Sequence, residues 1–277
     1  MLSSVKGQRE KEMKKLSNVL MASVLVFSAA CSKPASNTPA ESATPEATAE
    51  ATAEATTAPE TPEVAVMSYA EYDAAAVDTE VVVEAYVQGK QSWWDNKATV
   101  YLQDEDGAYF LYELACTEED YAKLTEGQKI RVHGFKSEWD GEVEIVDGTF
   151  EIVDGNWVAE PVDATELWGT VDMISRMNQK VVFKGVTVEE YVTKDGEHTG
   201  AAFAYKNAEE KTDDLYYQVT LGDTTYDFCV EYYLCNQDTD VYKAVEALQP
   251  GDVVDVEGFL YWYQGPNLHT TKVTPAK

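Results

Sequence analysis

The sequence predicts an all-β protein with short helices, built as two tandem copies of one five-stranded unit behind a disordered N-terminal tether. Three observations carry this. The stretch Leu124–Gly141 recurs loosely as Leu248–Gly265: Leu124, Gly127, Val132, Gly134, Phe135 and Gly141 each find the same residue 124 positions later, and a fixed internal period marks a repeated structural unit. Apolar residues alternate with polar ones along most segments of both halves, the period of a half-buried strand. Asp and Gly pairs punctuate those segments at Asp106-Gly107, Asp147-Gly148 and Gly222-Asp223, where turns need backbone angles these residues tolerate.

The chain of 277 residues has room for two domains with real cores. Charge is its strongest compositional feature. Removing the five basic and two acidic residues of positions 1–31 from totals of 21 and 50 leaves 16 and 48, a net charge of −32 after Cys31. Phosphate backbones are bound through clustered Lys and Arg, so this balance argues against a nucleic-acid partner and against anionic headgroups. It suits solubility, cations or neutral ligands.

Positions 1–31 read as an export signal. Lys14 and Lys15 are a positive start, Val19–Phe27 a short apolar core, and Ser28-Ala29-Ala30 small residues before Cys31. The apolar run is shorter than the ~20 residues a membrane span needs. Residues 1–12 do not resemble a signal, which makes Met13 the candidate start. Small residues ending at a cysteine resemble the lipobox of bacterial lipoprotein signal peptides, although Ser28 stands where that family usually has an aliphatic residue. The resemblance implies that Cys31 becomes the first mature residue, carries the lipid, and anchors the protein to the outer face of the cytoplasmic membrane.

Residues 32–65 are built from Ala, Thr, Glu, Pro and Ser, with Ala-Thr-Ala-Glu repeated at 47–50 and 51–54. The tract lacks bulky apolar side chains until Val64, so it cannot offset its ordering entropy. As a tether it has a mean reach of roughly 30 Å.

The first unit spans 66–158. Ser68–Ala75 reads as a short leading helix. Strands follow at Glu80–Gln88, Ala98–Gln103 and Tyr109–Leu114, with Asp104–Gly107 as a hairpin turn. Thr117 caps a short helix that Gly127 ends. Lys129–His133 alternates, with Ile130 and Val132 inward. Glu142–Ile145 and Thr149–Ile152 are read as two strands turning at Asp147-Gly148. Strand, strand, strand, helix, strand, strand is similar to the oligonucleotide/oligosaccharide-binding (OB) fold, and the segment Gly127–Gly134 resembles that fold's fourth strand. The resemblance implies a closed five-stranded barrel and leaves its ligand open.

The second unit spans 159–277, with Ala159–Ala164 as connector. Trp168–Val171 and Lys180–Val188 are expected to open its sheet. A polar excursion, 193–214, takes the place of the first unit's short 90–97 loop. Leu215–Leu221 and Thr224–Tyr232 flank a Gly222-Asp223 hairpin. A helix follows with Val241, Val245 and Leu248 at helical spacing, then strands Val253–Phe259 and Leu268–Val273.

Barrels of this kind present ligands on the loop after strand one and the loop between strands four and five. Trp93 and Trp94 fall in the first loop and Trp139 at the second. Tyr261, Trp262 and Tyr263 hold the latter place in the second unit. Aromatic faces stack on sugars, bases or prolines, and the competing role is packing over barrel ends. Asn236-x-Asp238-x-Asp240 begins like a calcium loop but lacks the Gly and the closing Glu, leaving turn chemistry as its reading. His133, His198 and His269 form no close ligand pair, and no hydrolase or phosphate-loop motif is present. No metal or cofactor is expected. Cys116 and Cys235 read as equivalent buried positions, and Cys229 with Cys235 is a candidate bridge after export. The expectation is a non-catalytic, lipid-anchored binding or scaffold protein for a neutral oligosaccharide or a surface protein, with nucleic-acid binding as the alternative from fold and a hydrolase without a recognisable motif as the second.

Overall fold

In the computed structural model, residues 65–207 and 212–277 are described. The expected signal, Cys31 and all but the last residue of the expected tether lie outside the described residues.

Helix α1 (Tyr69–Ala74) opens the described chain, and its start is fixed by a reciprocal pair. The Ser68 hydroxyl accepts from the Glu71 N–H while the Glu71 carboxylate accepts from the Ser68 N–H. Its far end is held from outside. The buried ammonium of Lys136 donates to the carbonyls of Tyr72, Asp73 and Ala75 at 3.0, 2.8 and 2.9 Å. Of these, the Tyr72 carbonyl also accepts from the Ala75 N–H at 3.1 Å, and the lysine supplies the charged donor that a helix C-terminus favours.

The first barrel is formed by β1 (Glu80–Lys90), β2 (Lys97–Gln103), β3 (Ala108–Ala115), β4 (Gln128–Trp139) and β5 (Glu142–Asn156), closed in the order β1-β2-β3-β5-β4. Helix α2 (Glu118–Lys123) joins β3 to β4 and starts at Thr117, whose hydroxyl accepts from the Asp120 N–H. Val81, Val83, Ala98, Val100, Leu102, Leu111, Ile130 and Val132 fill the interior, the inward faces that alternation predicts. Asp147-Gly148 is not a turn: β5 is continuous through it. The ladder steps two residues on β4, from His133 to Phe135, but three on β5, from Thr149 to Val146. That is a β-bulge, with Asp147 at φ 51°. Asp-Gly signals either device, and the alternation on both sides does not separate them.

In the second half a two-residue strand, β6 (Val162–Asp163), precedes β7 (Lys180–Val188). Trp168–Val171 does not open the sheet. Thr165–Leu167 and Val171–Arg176 are 3-10 turns, and Trp168 turns inward against Phe183 and Phe228. The excursion contributes β8 (Phe203–Tyr205). Then come β9 (Leu215–Leu221), β10 (Thr224–Val230), helix α3 (Asp240–Glu246), β11 (Val253–Trp262) and β12 (Pro266–Pro275). Ring closure runs β7-β9-β10-β12-β11, with β6 and β8 added outside it.

The two closed five-stranded barrels therefore share one OB-like topology, including a parallel third–fifth pair in each, β3 with β5 and β10 with β12. The repeat has a steric cause. A Cβ on Gly134 would lie 2.9 Å from the Val146 carbonyl, and one on Gly258 would lie 2.3 Å from the His269 carbonyl. At both places the fifth strand crosses too close for any side chain.

Candidate functional site

Both barrels belong to one compact unit, Glu63–Lys277, and their contact consumes the face an OB barrel ordinarily offers. On β2 the inward residues alternate with Thr99, Tyr101 and Gln103, and all six residues from Ala98 to Gln103 are buried. The outer side of β2–β3 meets β11 and β12. Tyr101 stacks on Phe259 with centroids 4.3 Å apart at 15°, and Phe110 meets Tyr261 edge-on at 5.3 Å. The Tyr101 hydroxyl lies 2.6 Å from Nδ1 of His269. Burial drives the His269 imidazole down to about 3, so the ring is neutral and pairs with the phenol as an uncharged hydrogen-bonding partner.

Polar contacts frame the rings. The Lys180 N–H donates to Gln103 Oε1 at 2.9 Å, and the Trp262 N–H donates to Glu142 Oε2 at 2.7 Å. Asp140-Gly141, both at positive φ, form the two-residue turn between β4 and β5. The Asp140 carbonyl accepts from the Gln264 N–H at 2.8 Å. Asp140 and Gln264 are repeat equivalents, so the same turn of the two copies docks against itself.

The corresponding outer face of the second barrel is covered by its own excursion. Gln218, facing out of β9, donates to the Val192 carbonyl and accepts from the Val192 N–H. The Gln218 amide also donates to Asp227 Oδ1 at 2.8 Å, so one side chain links the start of the excursion to β9 and β10.

The predicted aromatic residues are thereby sorted. Tyr261 is 6% exposed, sandwiched between His269 at 4.4 Å and Phe110. Its candidate ligand role is corrected to packing between barrels. Trp262 packs on the second core with its indole edge against Gly141, and Tyr263 packs on the inter-barrel ring cluster. Trp139 is half-buried at the end of β4. Trp93 is half-buried, its indole N–H donating to the Cys116 carbonyl at 2.8 Å. Trp94 is 53% exposed.

Trp94 is held rigidly. It pairs with Lys97 across a two-residue turn in which Asp95 and Asn96 both take positive φ. Two residues earlier, the Ser92 N–H donates to the Tyr233 carbonyl at 2.6 Å, tying this loop to the second barrel. Tyr233, 52% exposed, was missed in the sequence because it follows the last strand residue of its hairpin, where alternation no longer assigns a face.

Among the described residues no group of three His, Cys, Asp or Glu side chains is placed to hold a metal, and no helix is long and apolar enough to cross a membrane. His133 and His198 sit beside Glu80 and Glu190 on the surface. Cys116, Cys229 and Cys235 are free thiols, so the candidate Cys229–Cys235 bridge is not formed. Cys235 is half-buried while Cys116 is buried, so the two are not equivalent in burial.

No family model matches the chain, and no curated protein matches it. Solved structures do. The Ifi202 HINa domain in complex with 20-bp dsDNA is 10% identical, covers 72% of this chain and all of its own, with a TM-score of 0.32. A single-stranded DNA binding protein from Thermus aquaticus is 12% identical, with 73% and 96% covered and a TM-score of 0.23. A Replication Protein A heterotrimer bound to ssDNA is 11% identical, with 74% and 51% covered and a TM-score of 0.29. The likeness is one of fold. The expectation, drawn from net charge, that nucleic acid is an unlikely partner is corrected: the solved structures of like fold include DNA complexes. Net charge sums over the whole surface, whereas a stacking platform acts locally.

Proposed function

We propose that this chain is a non-catalytic binding protein that takes its ligand on the aromatic rim where the first barrel's β1–β2 loop meets the second barrel. The observation that carries this is Trp94: a large indole, more than half exposed, on a loop locked by a tight turn and by the Ser92–Tyr233 hydrogen bond. Preorganised aromatic surface costs little to order on binding. An indole face recognises flat rings, whether bases or sugars. The OB architecture accommodates single-stranded nucleic acid and oligosaccharides alike. The acidity of the chain favours a neutral oligosaccharide, which meets no long-range repulsion.

Fluorescence titration of the full chain with a single-stranded DNA oligomer and with a neutral β-linked oligosaccharide tests both. Quenching by either that is lost in Trp94→Ala, with stability unchanged, supports the rim. Saturable binding undiminished in Trp94→Ala, or no binding of either ligand, overturns it. Stacking predicts a shallow salt slope for DNA, since few phosphates are neutralised.

We further propose that the protein is exported and lipid-anchored through Cys31, as its lipobox-like segment implies. Incorporation of labelled fatty acid that disappears in Cys31→Ala tests this. Unlabelled wild-type protein refutes it.

A further inference from the structure

The excursion rejoins the second barrel at a buried ion pair outside the proposed rim. Lys206 follows β8 and Asp214 precedes β9, and the Lys206 N–H donates to the Asp214 carbonyl at 2.9 Å, extending the β8–β9 ladder by one pair. Their side chains are 6% and 2% exposed, with Nζ 3.1 Å from Asp214 Oδ2. The other carboxylate oxygen, Oδ1, accepts from the Tyr232 N–H at 2.9 Å. A second carboxylate stands alongside, with Asp213 Oδ1 3.9 Å from Nζ. Asp213 is fixed by the Asp214 N–H at 2.8 Å and by the Asn207 side-chain amide. The Tyr242 hydroxyl donates to the Asp213 carbonyl.

These groups are an amine nucleophile, a carboxyl carbon, a donor on the oxygen that gains charge, and a proton carrier. We propose that Lys206 and Asp214 become joined by an intramolecular isopeptide bond that the folded chain forms on itself. Asp213 takes a proton from the Lys206 ammonium, freeing the amine to attack Cγ of Asp214. The Tyr232 N–H holds the developing charge on Oδ1. The Cγ–Oδ2 bond breaks, and Oδ2 leaves as water with two of the three ammonium protons, relayed through Asp213. The third proton remains as the amide N–H, and Asp213 returns to its carboxylate form. No oxidant or other reactant enters.

Two physical arguments favour the step. A buried ion pair carries a large desolvation cost that its Coulomb attraction only partly offsets, and a neutral amide removes both charges. The strand ladder also holds the reacting groups together, which replaces an encounter by a unimolecular event. The product joins the residue after β8 to the residue before β9 and fastens the cover of the second barrel to its sheet.

Peptide mapping of the native, full-length protein tests this directly. Trypsin cuts after Lys211, so a linked chain yields two arms that stay joined and weigh one water less than their sum. Tandem mass spectrometry should place the link at Lys206 and Asp214. In Lys206→Arg the arms should separate, and in Asp213→Asn the joined species should be lost or form far more slowly. Separate arms at full mass in folded wild-type protein after prolonged incubation would overturn the proposal. So would a water loss mapped to any other residue. The wild-type result decides even if a variant fails to fold.

Discussion

The phenol of Tyr101 in the first barrel lies 2.6 Å from Nδ1 of His269 in the second, and both side chains are buried. This pair is the polar centre of an otherwise aromatic joint, and it makes two predictions.

Tyr101→Phe keeps the stack on Phe259 but leaves Nδ1 of the buried imidazole without its hydrogen-bond partner. The cost should be about 1–3 kcal/mol in urea denaturation. Tyr101→Ala also removes the ring and should cost about 3–5 kcal/mol. If Tyr101→Phe matches wild type, the hydrogen bond contributes nothing to the joint.

Acid should weaken the joint. The free imidazole titrates near 6.5 and the folded one at about 3. Between those values the unfolded chain binds the extra proton, so stability falls as pH drops through 6.5 and the loss is complete near pH 3. Wild type should lose about 3 kcal/mol more than His269→Gln between pH 7 and pH 4. Parallel losses in the two proteins would show that other groups govern the acid response.

Lys136→Met should release the end of α1. Three carbonyls lose a charged donor, at about 3 kcal/mol in total. Hydrogen exchange over residues 69–75 should accelerate more than exchange in β7–β12. Uniform acceleration would mean that the lysine supports the whole unit.

Gly258→Ala should be far more damaging than Gly222→Ala. The first puts a methyl group 2.3 Å from a backbone carbonyl, while the second meets nothing within 4 Å and carries only the strain of φ 62°. The expected costs are about 3 kcal/mol or more against about 1 kcal/mol. Equal melting temperatures would show that β12 can move aside.

The thiols should be slow to alkylate in the native protein. Burial pushes Cys235 up to about 12 and raises Cys229 and Cys116 above the ordinary thiol value, and the thiolate is the reactive form. Iodoacetamide at pH 8 should label Cys116, Cys229 and Cys235 slowly before denaturation and readily after it. Rapid native labelling of Cys229 would mean that the excursion opens.

The barrels were legible because their signals are local. Alternation at Lys129–His133, the Thr117 cap and the Asp104–Gly107 turn each act within a few residues. The joint was less so. Tyr101 and Phe110 point away from their own core, and outward aromatics read equally well as ligand platform or as partner surface. Tyr261 was placed on the wrong side of that choice for the same reason. The nearly unbroken apolar run Tyr109–Tyr112 was the available clue, since a strand buried on both faces loses its alternation. Trp168 misled differently: β-type residues around a glycine fit a strand, but the core claimed the indole and left the backbone in a 3-10 turn.

The excursion over β9–β10 has an assembly consequence. The second barrel's fourth and fifth strands dock on the first barrel's second and third, a head-to-tail contact between unlike faces. A contact between unlike faces leaves one copy of each face unused. Val192 is held over the free head of the second barrel by the Gln218 side chain. At the free tail of the first, the equivalent of Phe259 is Phe135, 42% exposed, but the equivalent of Tyr261 is Ser137. One terminus is covered and the other keeps only half of the aromatic plug, so neither outer face repeats the joint that holds the two barrels together.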